Sequence, residues 1–199
     1  MAITLKPIVP VRLSFYIKGT SPLIQHAWSN KSLAMMRMSA AERKKQPKEA
    51  RDPEKIASDS CYRTDKGEIG IPLTAFKAAL ISSAHKDFGL EKTLLRKSFF
   101  IPSDDSGRVV AIEASEYVIR EDIVRVGMNQ TDIRYRPMFT EWRAKIVAEI
   151  DAELLTTEDV ANLVNRAGFS IGIGEWRPEK GGEFGRFTLD ESEPMEVLS

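Results

Sequence analysis

Alternation of apolar and polar positions is clearest in two separated segments. Residues 12 to 18 place Leu13, Phe15 and Ile17 on one side and Arg12, Ser14, Tyr16 and Lys18 on the other, the period of two that a half-buried strand requires. Residues 142 to 150 repeat it, with Trp142, Ala144, Ile146, Ala148 and Ile150 set against Arg143, Lys145 and Glu149. Between them, residues 99–101, 109–112 and 117–126 read as strands and hairpins, punctuated by the turn formers Pro102, Asp104, Asp105, Ser106 and Gly107. Residues 184–189 read as a closing strand.

Two other segments have helical spacing. Residues 73–86 bring Phe76, Leu80 and Ile81 to one face, with Thr74 as the expected cap. Thr156 and Asp159 have the spacing of a capping box, and the stripe of Val160, Leu163, Val164 and Ala167 runs to Gly168 as the expected stop. Strand, insertion, helix, β-rich middle, strand, helix and strand predict an α+β protein with a ferredoxin-like (RRM-like) core of two βαβ-like halves. A long basic insertion follows the first strand, at about 27–68, and a β-rich insertion spans about 97–140. Residues 1–190 are then one domain, and 191–199 an acidic tail too poor in apolar side chains to pack, expected to be disordered.

Charge changes the picture only through its distribution. Lys and Arg number 29 and so do Asp and Glu, so the whole chain has no net attraction for a polyanion. The first insertion is nevertheless rich in Lys31, Arg37, Arg43, Lys44, Lys45, Lys48, Arg51 and Lys55, with Glu42, Glu49, Asp52 and Glu54 fewer, while Asp190, Glu191, Glu193 and Glu196 gather at the end. The single cysteine, Cys61, forms no internal disulfide, and neither a secretory signal nor an apolar run of about 20 residues is present, so a reducing, cytoplasmic setting is expected. One cysteine and two distant histidines lack any zinc spacing, and no metal or cofactor is expected.

The most unusual stretch is GFSIGIGEWRPEKGGEFGRF, residues 168–187, which holds half of the twelve glycines. Glycine permits close backbone approach, so Gly181, Gly182 and their neighbours can present amides to a phosphate, Arg177, Lys180 and Arg186 can supply charge, and Trp176 a stacking face. The spacing is not that of a P-loop, and the loop follows a helix and precedes a strand, the reverse of the dinucleotide fingerprint. The competing reading is a glycine-rich connection whose Trp and Arg pack on the sheet. Arg134, Arg136 and Arg143, interleaved with Tyr135 and Trp142, combine phosphate and stacking chemistry, or form a hairpin that meets a neighbouring subunit. Met35, Met36 and Met38 read as core filler or a flexible contact surface; Trp28 and Trp142 read as packing residues.

Three ordered segments resemble the RAMP superfamily, in particular the backbone subunits that polymerise along guide RNA in CRISPR effector complexes. They are LSFYIKGTSPLIQH, similar to the opening strand and its turn, IGIPLTAFKAALISSA, similar to the helix start placed beside RNA, and AGFSIGIGEWRPEKGGEFGRF, similar to the C-terminal Gly/Arg loop. Phe76 and Ala78 stand where that family often has smaller residues, and the chain is short for an effector subunit, which fits a stand-alone relative carried by a phage or other mobile element. The resemblance implies that Thr74 and Lys77 lie beside phosphates, and that Arg177, Lys180 and Arg186 line the same groove. RAMP relatives that cut RNA use an acid after the first strand; residues 19–28 contain none, and Asp52, Asp59 and Asp65 read as solvated surface acids. His26 reads as a nucleic-acid contact or a surface residue and His85 as helix surface.

The function expected is therefore non-catalytic binding of single-stranded RNA, or single-stranded DNA, by a subunit that assembles side by side along the strand with itself or with other effector subunits. The competing functions are a metal-dependent endoribonuclease that uses an insertion acid, and a protein-interaction mimic that inhibits an effector complex.

Overall fold

A computed structural model of the chain describes residues 7–39, 41–42, 50–102, 108–127 and 130–198. The two alternating segments pair with each other. Strand β1 (Pro10–Gly19) and strand β8 (Trp142–Asp151) run antiparallel with Phe15 opposite Ile146 and Ile17 opposite Ala144, so their apolar rows share one face. The polar rows share the other, where the Arg143 guanidinium lies 4.3 Å and the Lys145 ammonium 5.7 Å from the centre of the Tyr16 ring. Beyond β1 lie β9 (Phe187–Leu189) and β10 (Glu196–Leu198); beyond β8 lie β4 (Phe99–Phe100) and β5 (Val109–Ala114), with β3 (Gly70–Pro72) outermost. All these pairings are antiparallel.

Helices α3 (Leu73–Phe88) and α5 (Thr157–Ser170) pack against each other, and their apolar residues join those of β1 and β8 in a single core. Phe76 is fully buried at its centre, its ring 6.4 Å from Phe15 and 5.7 Å from Phe187. The capping box forms: Thr156 Oγ1 accepts from the Asp159 amide at 3.1 Å and Asp159 Oδ2 from the Thr156 amide at 2.9 Å. Gly168 is no stop, however, because a Cβ there would stand 1.9 Å from the Phe187 carbonyl oxygen; its bare backbone lets β9 cross the helix. At α3 the cap residue is Pro72, not Thr74, whose side chain makes no capping bond, and the helix ends at Gly89 in the left-handed conformation.

A second sheet has the order β2 (Leu23–Ile24), β7 (Gln130–Phe139), β6 (Val118–Val126). The first insertion holds α1 (Asn30–Arg37), which buries none of its side chains, and α2 (Pro53–Asp59), which packs on β6 and β7; α4 (Lys92–Ser98) precedes β4. These make five α-helices among the described residues of an α+β protein built on antiparallel sheets. Arg43, Lys44, Lys45, Lys48 and Glu49, and the turn formers Asp104, Asp105, Ser106 and Gly107, lie outside the described residues. Among those described, no helix is long and apolar enough to cross a membrane.

At the start of the acidic tail Asp190 Oδ1 accepts from the Ser192 amide and hydroxyl, and β10 then pairs with residues 12–14 of β1, supplying partners to a strand edge that would otherwise be bare. One expectation is corrected here. Trp28 is 64% exposed and not a core residue, whereas Trp142 is buried and donates its indole N–H to the Ser21 carbonyl at 3.0 Å.

Because Phe76 bridges β1, β9 and the helix layer, Phe76→Ala should lower unfolding free energy by about 3–5 kcal/mol in a denaturant titration. A loss below about 1 kcal/mol would mean that the core closes without it.

Candidate functional site

Residues 171–186 form the loop from α5 to β9, and its glycines make room for backbone. A Cβ on Gly185 would stand 1.7 Å from the Ile173 carbonyl oxygen, one on Gly182 1.8 Å from that of Trp176, and one on Gly174 2.5 Å from that of Ile24. Hydrogen bonds follow from these approaches. The Ile173 amide donates to the Gly185 carbonyl at 2.9 Å, the Glu175 amide to the Ile24 carbonyl at 2.9 Å, and the Gly185 amide to the Pro22 carbonyl at 2.8 Å. Most amide donors of the loop are thus taken up within the protein, so it is no open nest for phosphate. Four amides, those of Gly174, Trp176, Arg177 and Glu183, make no hydrogen bond to described residues. Trp176 is held at φ 53, in the left-handed region, with its side chain 43% exposed.

This loop, the start of α3 and the segment after β2 enclose a cavity of about 150 Å³. Its apolar walls are Leu23, Ile71, Pro72, Ala75 and Ile173. Its polar side is formed by Gln25, His26, Tyr62, Glu175 and Arg177. Gln25 is spent on structure, donating to the Gly70 carbonyl and accepting from the Tyr62 amide, both at 2.9 Å. Burial, and after it the Arg136 charge, lowers the His26 pKa; burial, helped by Glu175, raises that of Tyr62. Both side chains are therefore uncharged at neutral pH.

Behind the cavity stands the hairpin of β6 and β7. Asp122 accepts from Arg120 Nε at 2.8 Å and from Arg136 Nη1 at 3.1 Å, while Arg136 Nη2 lies 3.5 Å from His26 Nδ1 and 3.9 Å from a Glu175 carboxylate oxygen. Arg120 also stacks on Phe184 at 4.8 Å, so the hairpin is fastened to the glycine loop by charge and by ring contact. In the loop itself Glu179 is the node: Oε1 accepts from Ser82 and Lys86 of α3, and Oε2 from Arg177. The Lys86 ammonium first, then the Ser82 hydroxyl and the Arg177 guanidinium, push its carboxyl down to about 2.

The sequence-predicted residues do not all meet. Thr74 is exposed at the helix start beside Pro72 and Ala75, and Trp176, Arg177, Lys180, Gly181 and Gly182 belong to the loop that walls the cavity. His26 lines it. Lys77 does not reach it: its ammonium lies 4.7 Å from the Phe100 ring centre, on β4. Lys77 and Lys86 are nine residues apart, about two and a half helical turns, so they project from opposite sides of α3, and it is Lys86 that meets the loop. Arg186 leaves the groove as well, its guanidinium stacked on Phe169 at 4.6 Å on the outer side of α5. Arg136 is a buried partner of Asp122, Arg134 is paired with Asp132 at 3.2 Å, and Arg143 belongs to the sheet face. Asp52 is the cap of α2, accepting from the Glu54 and Lys55 amides. Glu175 and Tyr62 were not reached from the sequence; Glu175 had a signal in its position between Gly174 and Trp176, and Tyr62 had none.

No protein-family model matches the chain, and no curated protein matches it. Among solved structures, the crystal structure of Cmr6 from Pyrococcus furiosus is similar over 91% of this chain and 98% of that one, at 11% identity and a TM-score of 0.44.

Glu179 has a depressed pKa in the folded protein, so the stability it contributes is present above its unfolded value near 4.5 and is lost as pH falls through about 2. Glu179→Gln should cost about 1–2 kcal/mol at pH 7, moderated by the water that still reaches the ion pairs, and the gap from the parent should narrow as pH drops from about 5 towards 2. Chemical denaturation across that range measures it; a pH-independent gap would remove Glu179 as the node.

Proposed function

We propose that the chain is a non-catalytic, RAMP-like protein that binds single-stranded RNA, with single-stranded DNA as the alternative strand, and that stands along it beside copies of itself or effector-complex subunits. One observation carries the reading: the helix start and the glycine loop, about a hundred residues apart in the chain, wall one cleft together with His26. The pairing order β9, β1, β8, β4, with α3 following the first strand and α5 following β8, supports a ferredoxin-like core beneath it. The strand passes over the mouth of the cleft, past Thr74, Trp176, Arg177 and Lys180. Arg177 shares its charge with Glu179, which leaves Lys180 as the exposed cation of the loop.

Cleavage is the second reading, favoured by one observation: a neutral His26 shares the cleft with Glu175. Labelled RNA incubated with the protein, with and without Mg²⁺, separates the two. Binding without catalysis predicts an intact, protected strand; product formation that His26→Ala abolishes would support cleavage.

With about two phosphates neutralised, affinity for a short RNA should fall with salt at a logarithmic slope near −1.5, and Lys180→Ala should reduce that slope by roughly 0.7. Trp176→Gly is the sharper test, because glycine relieves the positive φ while removing the exposed ring. Its melting temperature should match or exceed the parent's and its affinity for RNA should drop about tenfold. Unchanged affinity would exclude Trp176 as a stacking platform.

A further inference from the structure

Resting on that reading of the cleft, we propose that the cavity behind the glycine loop is a base pocket that takes one unstacked guanine from the bound strand. A space of this size, about 150 Å³, holds a single aromatic ring, so the six-membered ring of a purine enters and its five-membered ring stays at the mouth. The walls suit such a ring: Leu23, Ile71, Pro72, Ala75 and Ile173 are apolar.

The polar groups choose among bases. Glu175 lines the cavity, its carboxylate 42% exposed, and among described residues its one ion pair is the long contact to Arg136. An ionised carboxylate only accepts hydrogen bonds. Guanine alone offers it two adjacent donors, N1–H and the N2 amino group; adenine and cytosine offer one donor beside an acceptor, and uracil one donor between two acceptors.

Guanine O6 then needs a donor, and the cleft has several. Arg136 can only donate, so His26 Nδ1 receives its hydrogen bond and the ring proton of the neutral imidazole sits on Nε2. Gly174 and Arg177, both lining residues, also have amides without hydrogen bonds to described residues. Arg136 itself is buried and tied to Asp122, which makes it a positioning residue for both His26 and Glu175.

Fluorescence anisotropy with short oligouridylates, with and without one internal guanine, tests this on the full chain. The guanine should raise affinity about tenfold, as one bidentate base contact does. Glu175→Gln should bring the two strands within twofold of each other, and Ala75→Leu, which fills the cavity, should do the same. Melting temperature identifies a variant that fails to fold, and if Ala75→Leu does, Glu175→Gln still decides. Equal affinity of the parent for both strands overturns the base pocket but leaves strand binding standing, whereas no binding to either strand overturns the function proposed above. Free GMP, added as competitor, separates sources: displacement at micromolar concentration would mean a free-nucleotide site and overturn the proposal, and weak competition at millimolar concentration supports a base presented by a strand.

Discussion

The loop from α5 to β9 lies directly on β2, where the Ile24 carbonyl oxygen occupies the place at which Gly174 lacks a Cβ, and it folds back on itself where Gly185 lacks one beside the Ile173 carbonyl oxygen. From that contact the rest of the site takes its position. The Glu175 amide is held by Ile24 and the Gly185 amide by Pro22, so the end of the chain is registered against its beginning. Any side chain at these two glycines meets backbone and also an unfavourable positive φ, so neither distance can relax by a rotamer change.

Charge then fixes the two flanks of the loop. On one side Glu179 gathers Ser82, Lys86 and Arg177, and on the other Asp122 gathers Arg120 and Arg136, next to His26 and Glu175. The site is therefore preorganised, with its ionic partners largely internal. That arrangement leaves little free positive charge at the cleft, and it shifts the expected recognition from phosphate neutralisation towards ring stacking by Trp176 and insertion of a base. A chain without net charge has no global attraction for a polyanion, so the proposed binding rests on such short-range terms.

Much of this fold was legible from residue patterns, and the exceptions have physical causes. The alternation in β1 and β8 and the Thr156–Asp159 box are local signals, and they predicted the central strands and α5. The strand β7 was covered only by the β-rich insertion and the hairpin reading of Arg134 and Arg136, without bounds of its own; those two side chains satisfy carboxylates, and the buried Pro137 carbonyl accepts from the Gln25 amide. The glycines were visible, but a missing Cβ makes room equally for a phosphate or for a carbonyl, and only tertiary contact distinguishes them. Lys77 was assigned to the groove by resemblance, yet the helical period already placed it away from Ser82 and Lys86; what the sequence lacked was which flank of α3 the loop would meet. Tyr62 joins the site through folding at long range, beyond the reach of any motif, whereas Glu175 lay in view within the glycine stretch and only the fold sets it opposite Tyr62.

Hydrogen–deuterium exchange of the protein with and without a guanine-containing RNA examines the meeting of helix start and glycine loop most directly. Slowed exchange should be confined to amides of residues 73–76 and 174–177, with Lys77's neighbour Phe100 and the sheet face around Tyr16 unaffected. Protection centred on Tyr16 and Lys145 instead, with residues 174–177 unchanged, would place the nucleic acid on the open sheet and contradict the cleft.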